Sequence, residues 1–178
     1  MRLFVAVDLS DDVRNRIYRV AEKISGINGI KTVERENLHI TLLFLGEVSD
    51  SKADVIKNRL REIKFEPFEV KFRGIGYFPP RGNVRVVWVG VSEGVGELRK
   101  LADEVYAKLK KLGFRRDKEF AAHVTVARVK RKVDKLKDML KGFEDEEFGS
   151  MTVDKFKLKQ SILRPTGPVY KDVEVFGP

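Results

Sequence analysis

Leu38-His39-Ile40-Thr41-Leu42 and Ala122-His123-Val124-Thr125-Val126 hold the only two histidines in a chain of 178 residues. Apolar and polar residues alternate through both stretches. On a β-strand, residues two apart share a face. Each His therefore projects with its Thr from one face, while Leu38, Ile40 and Leu42, or Ala122, Val124 and Val126, point the other way into a core. A single His-x-Thr on a strand is more often an ordinary half-buried pair, because Thr suits strands for packing reasons alone. Two copies that use every histidine require a second coincidence, and they point to function.

Working outward, Arg2 to Asp8 reads as a strand. Ser10 caps a helix whose first turn carries Asp11 and Asp12 and whose buried stripe is Val13, Ile17, Val20, Ala21 and Ile24. Gly26 and Gly29 end it, and Thr32 to Glu34 is a short strand. Leu38 to Leu45 is the first His strand, stopped by Gly46. Ser49 or Asp50 caps a second helix on Ala53, Ile56, Leu60 and Ile63. Phe65 to Phe78 and Val84 to Val91 form a hairpin around the turn-rich Pro79-Pro80-Arg81-Gly82-Asn83. A third helix buries Leu98, Leu101, Ala102, Val105, Leu109 and Leu112, with Gly113 at its C′ position. Ala121 to Val129 is the second His strand. Val133, Leu136, Met139 and Leu140 mark a short fourth helix in a basic sequence. Met151 to Leu163 reads as one long strand, and Val169 to Phe176 as the last. Helices and hairpins alternate, which predicts an α+β fold with mainly antiparallel sheets. The motifs lie about half the chain apart, and each is flanked by strand, helix and strand. We therefore expect two related lobes facing each other across a cleft, forming one unit over residues 1–178.

The composition narrows the function classes. Zero Cys excludes disulfides, zinc-thiolate sites and cysteine nucleophiles, and two His leave little material for a transition-metal site. No metal and no cofactor are expected. The apolar run at the start is too short for a signal peptide, and no stretch approaches the roughly 18 apolar residues of a membrane span, so a cytoplasmic protein with no membrane partner is expected. Charged residues reach 35%, which is enriched in heat-adapted proteins. A net charge of +9 favours a polyanionic partner, with a solubilising surface as the alternative.

Two facing His-x-Thr pairs suit in-line displacement at a phosphodiester. One His deprotonates the attacking oxygen and the other protonates the leaving oxygen, each step contributing typically ~10²–10⁴-fold. Thr41 and Thr125 can donate to non-bridging phosphate oxygens. No metal is needed. Five further positions are weaker candidates for substrate contact. Phe4 can stack on a base or fill the core. Tyr77 and Phe78 can hold a nucleobase or anchor their loop. Arg85 and Arg128 can contact phosphate. Strict alternation puts Arg128 opposite His123 and Thr125, so only a bulge or the strand end brings it to the site. Lys130-Arg131-Lys132 and Arg115-Arg116 can track an RNA backbone or be solvated faces. Trp88 reads as core.

The two motifs resemble the paired His-x-Thr-x signature of the two-histidine (2H) phosphoesterases. Arg2-Leu3-Phe4-Val5-Ala6-Val7, Glu36 to Val48, Val86-Val87-Trp88-Val89-Gly90-Val91 and Ala122 to Arg128 are similar to the RNA 2′,3′-cyclic phosphodiesterases, also called 2′-5′ RNA ligases. The resemblance spans almost the whole chain. It implies a bilobal α+β fold with pseudo-twofold symmetry around a central cleft and helices outside. It implies hydrolysis of RNA 2′,3′-cyclic phosphate ends to 2′-phosphates, with His39 as proton donor to the 3′ oxygen and His123 as the base that activates water. The two motifs are nearly equivalent, so the sequence alone does not assign those roles. RNA is the expected partner, tRNA fragments included, and the chain is expected to be a monomer. The competing readings are 2′-5′ ligation of tRNA halves, action on a cyclic nucleotide or ADP-ribose cyclic phosphate, and a non-catalytic RNA-binding module.

Overall fold

In a computed structural model describing residues 1–178, strand burial alternates as the sequence predicts and sorts nine strands into two antiparallel sheets. The first sheet runs β3 (His39–Glu47), β1 (Arg2–Asp8), β8 (Phe156–Arg164), β9 (Gly167–Phe176). The second runs β2 (Ile30–Thr32), β6 (His123–Val129), β5 (Val86–Glu93), β4 (Phe68–Phe78), β7 (Glu147–Val153). The α+β class is the expected one. Leu3, Val5 and Val7 on β1, and Val87 and Val89 on β5, are almost fully buried and supply the core face of each sheet.

Helices close those faces. Ser10 accepts a hydrogen bond from the Val13 N–H and starts α1 (Asp11–Ile24), and Ser49 does the same for Lys52 at α2 (Asp50–Leu60). Each cap is worth about 1 kcal/mol. α1 follows a strand of the first sheet but packs against β6 and β7 of the second. α3 (Val95–Leu109) follows a strand of the second sheet but packs against β3 of the first. Each of these two helices thus covers the sheet that its preceding strand does not belong to. The fourth helix is a single turn, α4 (Leu136–Met139), shorter than its apolar positions suggest.

Three sequence expectations change. Met151 to Leu163 is two strands, not one. β7 ends at Val153 on the edge of the second sheet, and β8 begins at Phe156 inside the first. Both segments alternate in the same way, so only the pairing partners separate them. Gly46 does not stop the first His strand. With φ at +75° it sits within β3, where a register shift lies between the pairs Leu3–Gly46 and Phe4–Phe44. The short strand near residue 32 lies two residues earlier, because Ile30 to Thr32 pair with Val129 to Ala127.

Candidate active site

β3 and β6 contact each other where the two sheets meet, and both motifs face the resulting cleft. Ile40 and Val124 are fully buried, while His39, Thr41, His123 and Thr125 are half-buried on the opposite face. The two strands also share a bulge. Thr41 pairs with Ala6 but Leu43 with Val5, leaving Leu42 as the extra residue. Thr125 pairs with Trp88 but Ala127 with Val87, leaving Val126 extra. Both bulges bury two consecutive apolar residues and flip the phase of the strand. Phe44 and Arg128, five residues after each His, thereby return to the cleft face, and both are exposed. This is the bulge that Arg128 needed.

Both imidazoles are held through Nδ1. His39 Nδ1 lies 2.6 Å from the Asn37 carbonyl oxygen, and His123 Nδ1 lies 2.6 Å from the Ala121 carbonyl oxygen. A carbonyl only accepts, so each Nδ1 carries the hydrogen and each Nε2 is the working nitrogen. His39 Nε2 is 2.8 Å from Thr41 Oγ1. In the neutral ring that nitrogen accepts from the hydroxyl, and in the charged ring it donates.

Burial pushes His39 down to about 4, with the charges of Lys159 and His123 adding to the depression against the Asn37 carbonyl and Asp8. Burial also lowers His123, and the Arg128 guanidinium lowers it further against the Ala121 carbonyl. Burial raises Tyr170, and Arg128 pulls it back. These couplings run from one sheet to the other: His39 feels His123, and Tyr170 feels Arg128. The four groups share one electrostatic space.

Aromatic rings frame each His. Phe4 and Tyr170 lie 5.1 and 5.4 Å from the His39 ring, and Phe4 and Tyr170 are 4.9 Å apart. Phe78 and Trp88 lie 5.4 and 6.2 Å from the His123 ring. Trp88 is half-buried beside the motif rather than in the core. Its indole lies over Gly76, where an added Cβ would come within 2.1 Å of the ring. Phe4 is buried yet on the cleft side, beneath His39. Tyr77 pairs with Val87, out of phase with Phe78, so its ring lies on the other face of β4, where Lys137 Nζ sits 5.1 Å from its centroid. Arg85 is exposed just before β5 and out of phase with Val86 and Trp88.

Several site groups escape a reading of the sequence. Asn37 is buried, and its Nδ2 donates to the Pro168 carbonyl at 2.9 Å, tying the β8–β9 turn to the residue that orients His39. Asp8 stands directly across from His39. Its oxygens take Lys157 at 2.7 Å and Lys159 at 2.8 Å, and Asp172 takes the same two lysines at 2.7 and 3.1 Å. Burial raises both carboxyls, but the two lysines outweigh it and hold them below the usual range. Two lysines and two carboxylates cancel, so Arg128, which makes no ion pair, is the uncompensated cation between the motifs. No local pattern marks Asn37, Tyr170 or Asp8, because Pro168, His39 and the two lysines that they meet lie more than a hundred residues away along the chain; Asp172 meets the same lysines across the β8–β9 hairpin.

The chain matches the family described as LigT like Phosphoesterase twice, over residues 7–88 and 89–170, one motif in each segment. It is 56% identical over 176 residues to a protein of Archaeoglobus fulgidus named RNA 2′,3′-cyclic phosphodiesterase, covering 99% of both chains. The crystal structure of TT0787 of Thermus thermophilus superposes with a TM-score of 0.82 at 33% identity, over 99% of this chain and 97% of that one. A crystal structure of E. coli LigT complexed with 3′-AMP gives a TM-score of 0.83 at 26% identity over the same shares. Two motifs on two matched sheets, and a likeness that runs from end to end, place this chain in the LigT-like phosphoesterase family.

Proposed function

We infer that the protein hydrolyses RNA 2′,3′-cyclic phosphate ends to 2′-phosphates by two-histidine acid–base catalysis, without a metal. The observation that carries this reading is the matched pair of imidazoles. Each is fixed through Nδ1 to a backbone carbonyl two residues upstream, and each presents Nε2 to the same cleft. The curated relative's name supplies the substrate class. Residues 1–178 act as one domain of two lobes, and both histidines come from a single chain, so a monomer suffices. No helix is long and apolar enough to cross a membrane, in keeping with work on RNA in the cytoplasm.

In the reaction, the cyclic phosphate sits between the two Nε2 atoms. His123 takes a proton from water, whose oxygen bonds to phosphorus. The P–O3′ bond breaks opposite it, and His39 gives its proton to O3′. The product is a 2′-phosphate with a free 3′-hydroxyl, and solvent returns the two histidines to their starting states. Thr41 and Thr125 donate to the non-bridging oxygens as charge builds there. An acid at His39 works against its burial, which holds the ring's pKa down to about 4. The bound phosphate supplies the remedy, since an anion beside a buried imidazole favours its charged form. The substrate thus arms its own acid. Phe4, Phe78 and Arg128 contact the terminal nucleotide in this reading, with Tyr77 and Arg85 outside it.

The test is hydrolysis of a short RNA ending in 2′,3′-cyclic phosphate, in EDTA, with the two monophosphates resolved. Only 2′-phosphate is expected. Release of 3′-phosphate alone would reverse the leaving group and the substrate orientation, and loss of turnover in EDTA would end the metal-free mechanism.

A further inference from the structure

The two ends of the second sheet differ in charge. Phe78, Val86 and Arg128 lie side by side across β4, β5 and β6 and form the last cleft row at one end. Around the end of the sheet from that row, on the side to which Val129 and Tyr77 turn, lies a groove. Its walls are the Gly82-Asn83-Val84 loop and the segment from Val129 to α4, with Lys132, Lys135 and Lys137 along it and Asp138 as its single carboxylate. None of the three lysines is in an ion pair, whereas fifteen ion pairs form elsewhere. Lys137 is held against the Tyr77 ring, an arrangement that fixes a cation without neutralising it. Lys135 has φ at 62° and is the one non-glycine residue with a left-handed backbone, so a long cationic side chain occupies a position that glycine fills with less strain.

The opposite end of the sheet, past Gly90 and His123, opens into a second groove with Glu144 and Asp145 on its rim. Its one cation, Arg73, is already bound by Asp145 at 3.1 Å and Glu147 at 3.7 Å. A polyanion is repelled there and attracted at the lysine end.

We propose that the lysine groove of Lys132, Lys135 and Lys137 is a second substrate site, which binds the backbone phosphates of the RNA leading into the cyclic end. This rests on the reading of the cleft as an RNA 2′,3′-cyclic phosphodiesterase and adds a direction. The strand reaches the histidines over Arg128 and Phe78, and the far end of the cleft holds no second strand. The substrate is then a polynucleotide rather than a mononucleotide. Tyr77 acts at this groove, as a support for Lys137.

The experiment compares two substrates: an RNA of roughly eight nucleotides ending in 2′,3′-cyclic phosphate and cytidine 2′,3′-cyclic monophosphate. The wild type is expected to favour the oligonucleotide in kcat/KM. That advantage should fall with salt at a log–log slope of about −2, from three phosphate contacts at roughly −0.7 each on a single strand. The triple variant Lys132→Ala, Lys135→Ala, Lys137→Ala should lose most of the advantage and of the slope while keeping its rate on the mononucleotide. Glu144→Gln with Asp145→Asn should change neither. An advantage unchanged in the triple variant, or an equal loss on both substrates, overturns the groove. Fluorescence anisotropy of the same RNA ending in 2′-phosphate separates the two claims. If the protein turns over neither substrate, the catalytic reading fails, and weaker RNA binding by the triple variant still supports the groove, while unchanged binding overturns it.

Discussion

β3 and β6 are built to one plan and furnished differently. Both carry His-x-Thr, both bulge at the next two residues, and both anchor Nδ1 on a carbonyl two residues upstream. Around His39 the plan is closed. Phe4 and Tyr170 cover the ring, Thr41 engages Nε2, and burial drives the pKa to about 4. Around His123 it is more open. Phe78 and Trp88 stand at its edge, no side chain holds Nε2, and a guanidinium lies near. The residue that each bulge returns to the cleft is Phe44 on one side and Arg128 on the other. What packs around a duplicated local device makes its two imidazoles differ, since solvation and neighbouring charge set a pKa and the motif does not; in the proposed reaction that difference separates acid from base.

The comparison breaks most severely when either ring is removed. His39→Ala and His123→Ala should each lower kcat by ~10²–10⁴-fold. The double variant should be little worse than either single one, because the two groups act in one step. Single-turnover rates with unchanged melting temperature check this, and a wild-type rate in either variant would sink the two-histidine mechanism.

Next comes stability. His39 is neutral when folded down to about pH 4 but takes its proton near 6.5 when unfolded. Between those values the unfolded chain binds more protons, so stability falls as pH drops through that window. His39→Gln should remove a loss of up to about 3 kcal/mol. His123→Gln, at the more open ring, should remove less. Denaturant titrations at neutral and acid pH measure both, and equal effects would deny the asymmetry.

Thr41→Val and Thr125→Val should each cost on the order of 10²-fold in kcat, by loss of a donor to the transition-state phosphate. Thr41→Val should also free Nε2 of His39, so only that variant should alter the pH dependence of kcat. Arg128 lowers the His123 pKa, so Arg128→Met should raise it. The acid limb of kcat then moves to higher pH, costing about tenfold for one unit on that limb. Phe44→Ala, at the matching position, should leave that limb in place. The smallest effect expected is Asn37→Ala. It loses the hydrogen bond to Pro168, worth about 1 kcal/mol, and a fall in melting temperature without change in kcat would separate its structural role from its backbone's hold on His39.

Much of this is legible in the sequence. Ser10 and Ser49 cap the helices expected of them, and the apolar stripes of α1 and α3 are the buried residues of those helices, except that Leu112 lies past the end of α3 in a 3-10 turn and is half-buried. The motif faces, too, are those that a two-residue period assigns. The pairing of the sheets was less legible, and residues 151–163 show why: a period of two says which face a side chain takes and nothing about which strand lies beside it. Trp88 shows a second gap. Its indole lies on the cleft side because Gly76 on the neighbouring strand leaves room for it, and a large apolar residue in an apolar run otherwise reads as core.

The sequence by itself determined the local chemistry of this protein: which residue types sit on which face, where helices begin, and that two equivalent His-x-Thr pairs exist. Those properties depend on neighbours within a few positions, through strand period, capping and side-chain volume. Only the tertiary structure decided that the two pairs meet, that Arg128 joins them, that Asn37 is tied to Pro168, and that Asp8, Asp172, Lys157 and Lys159 cancel beneath His39. Each of these rests on contacts between segments far apart in the chain, and the burial those contacts create is what makes two like imidazoles unlike.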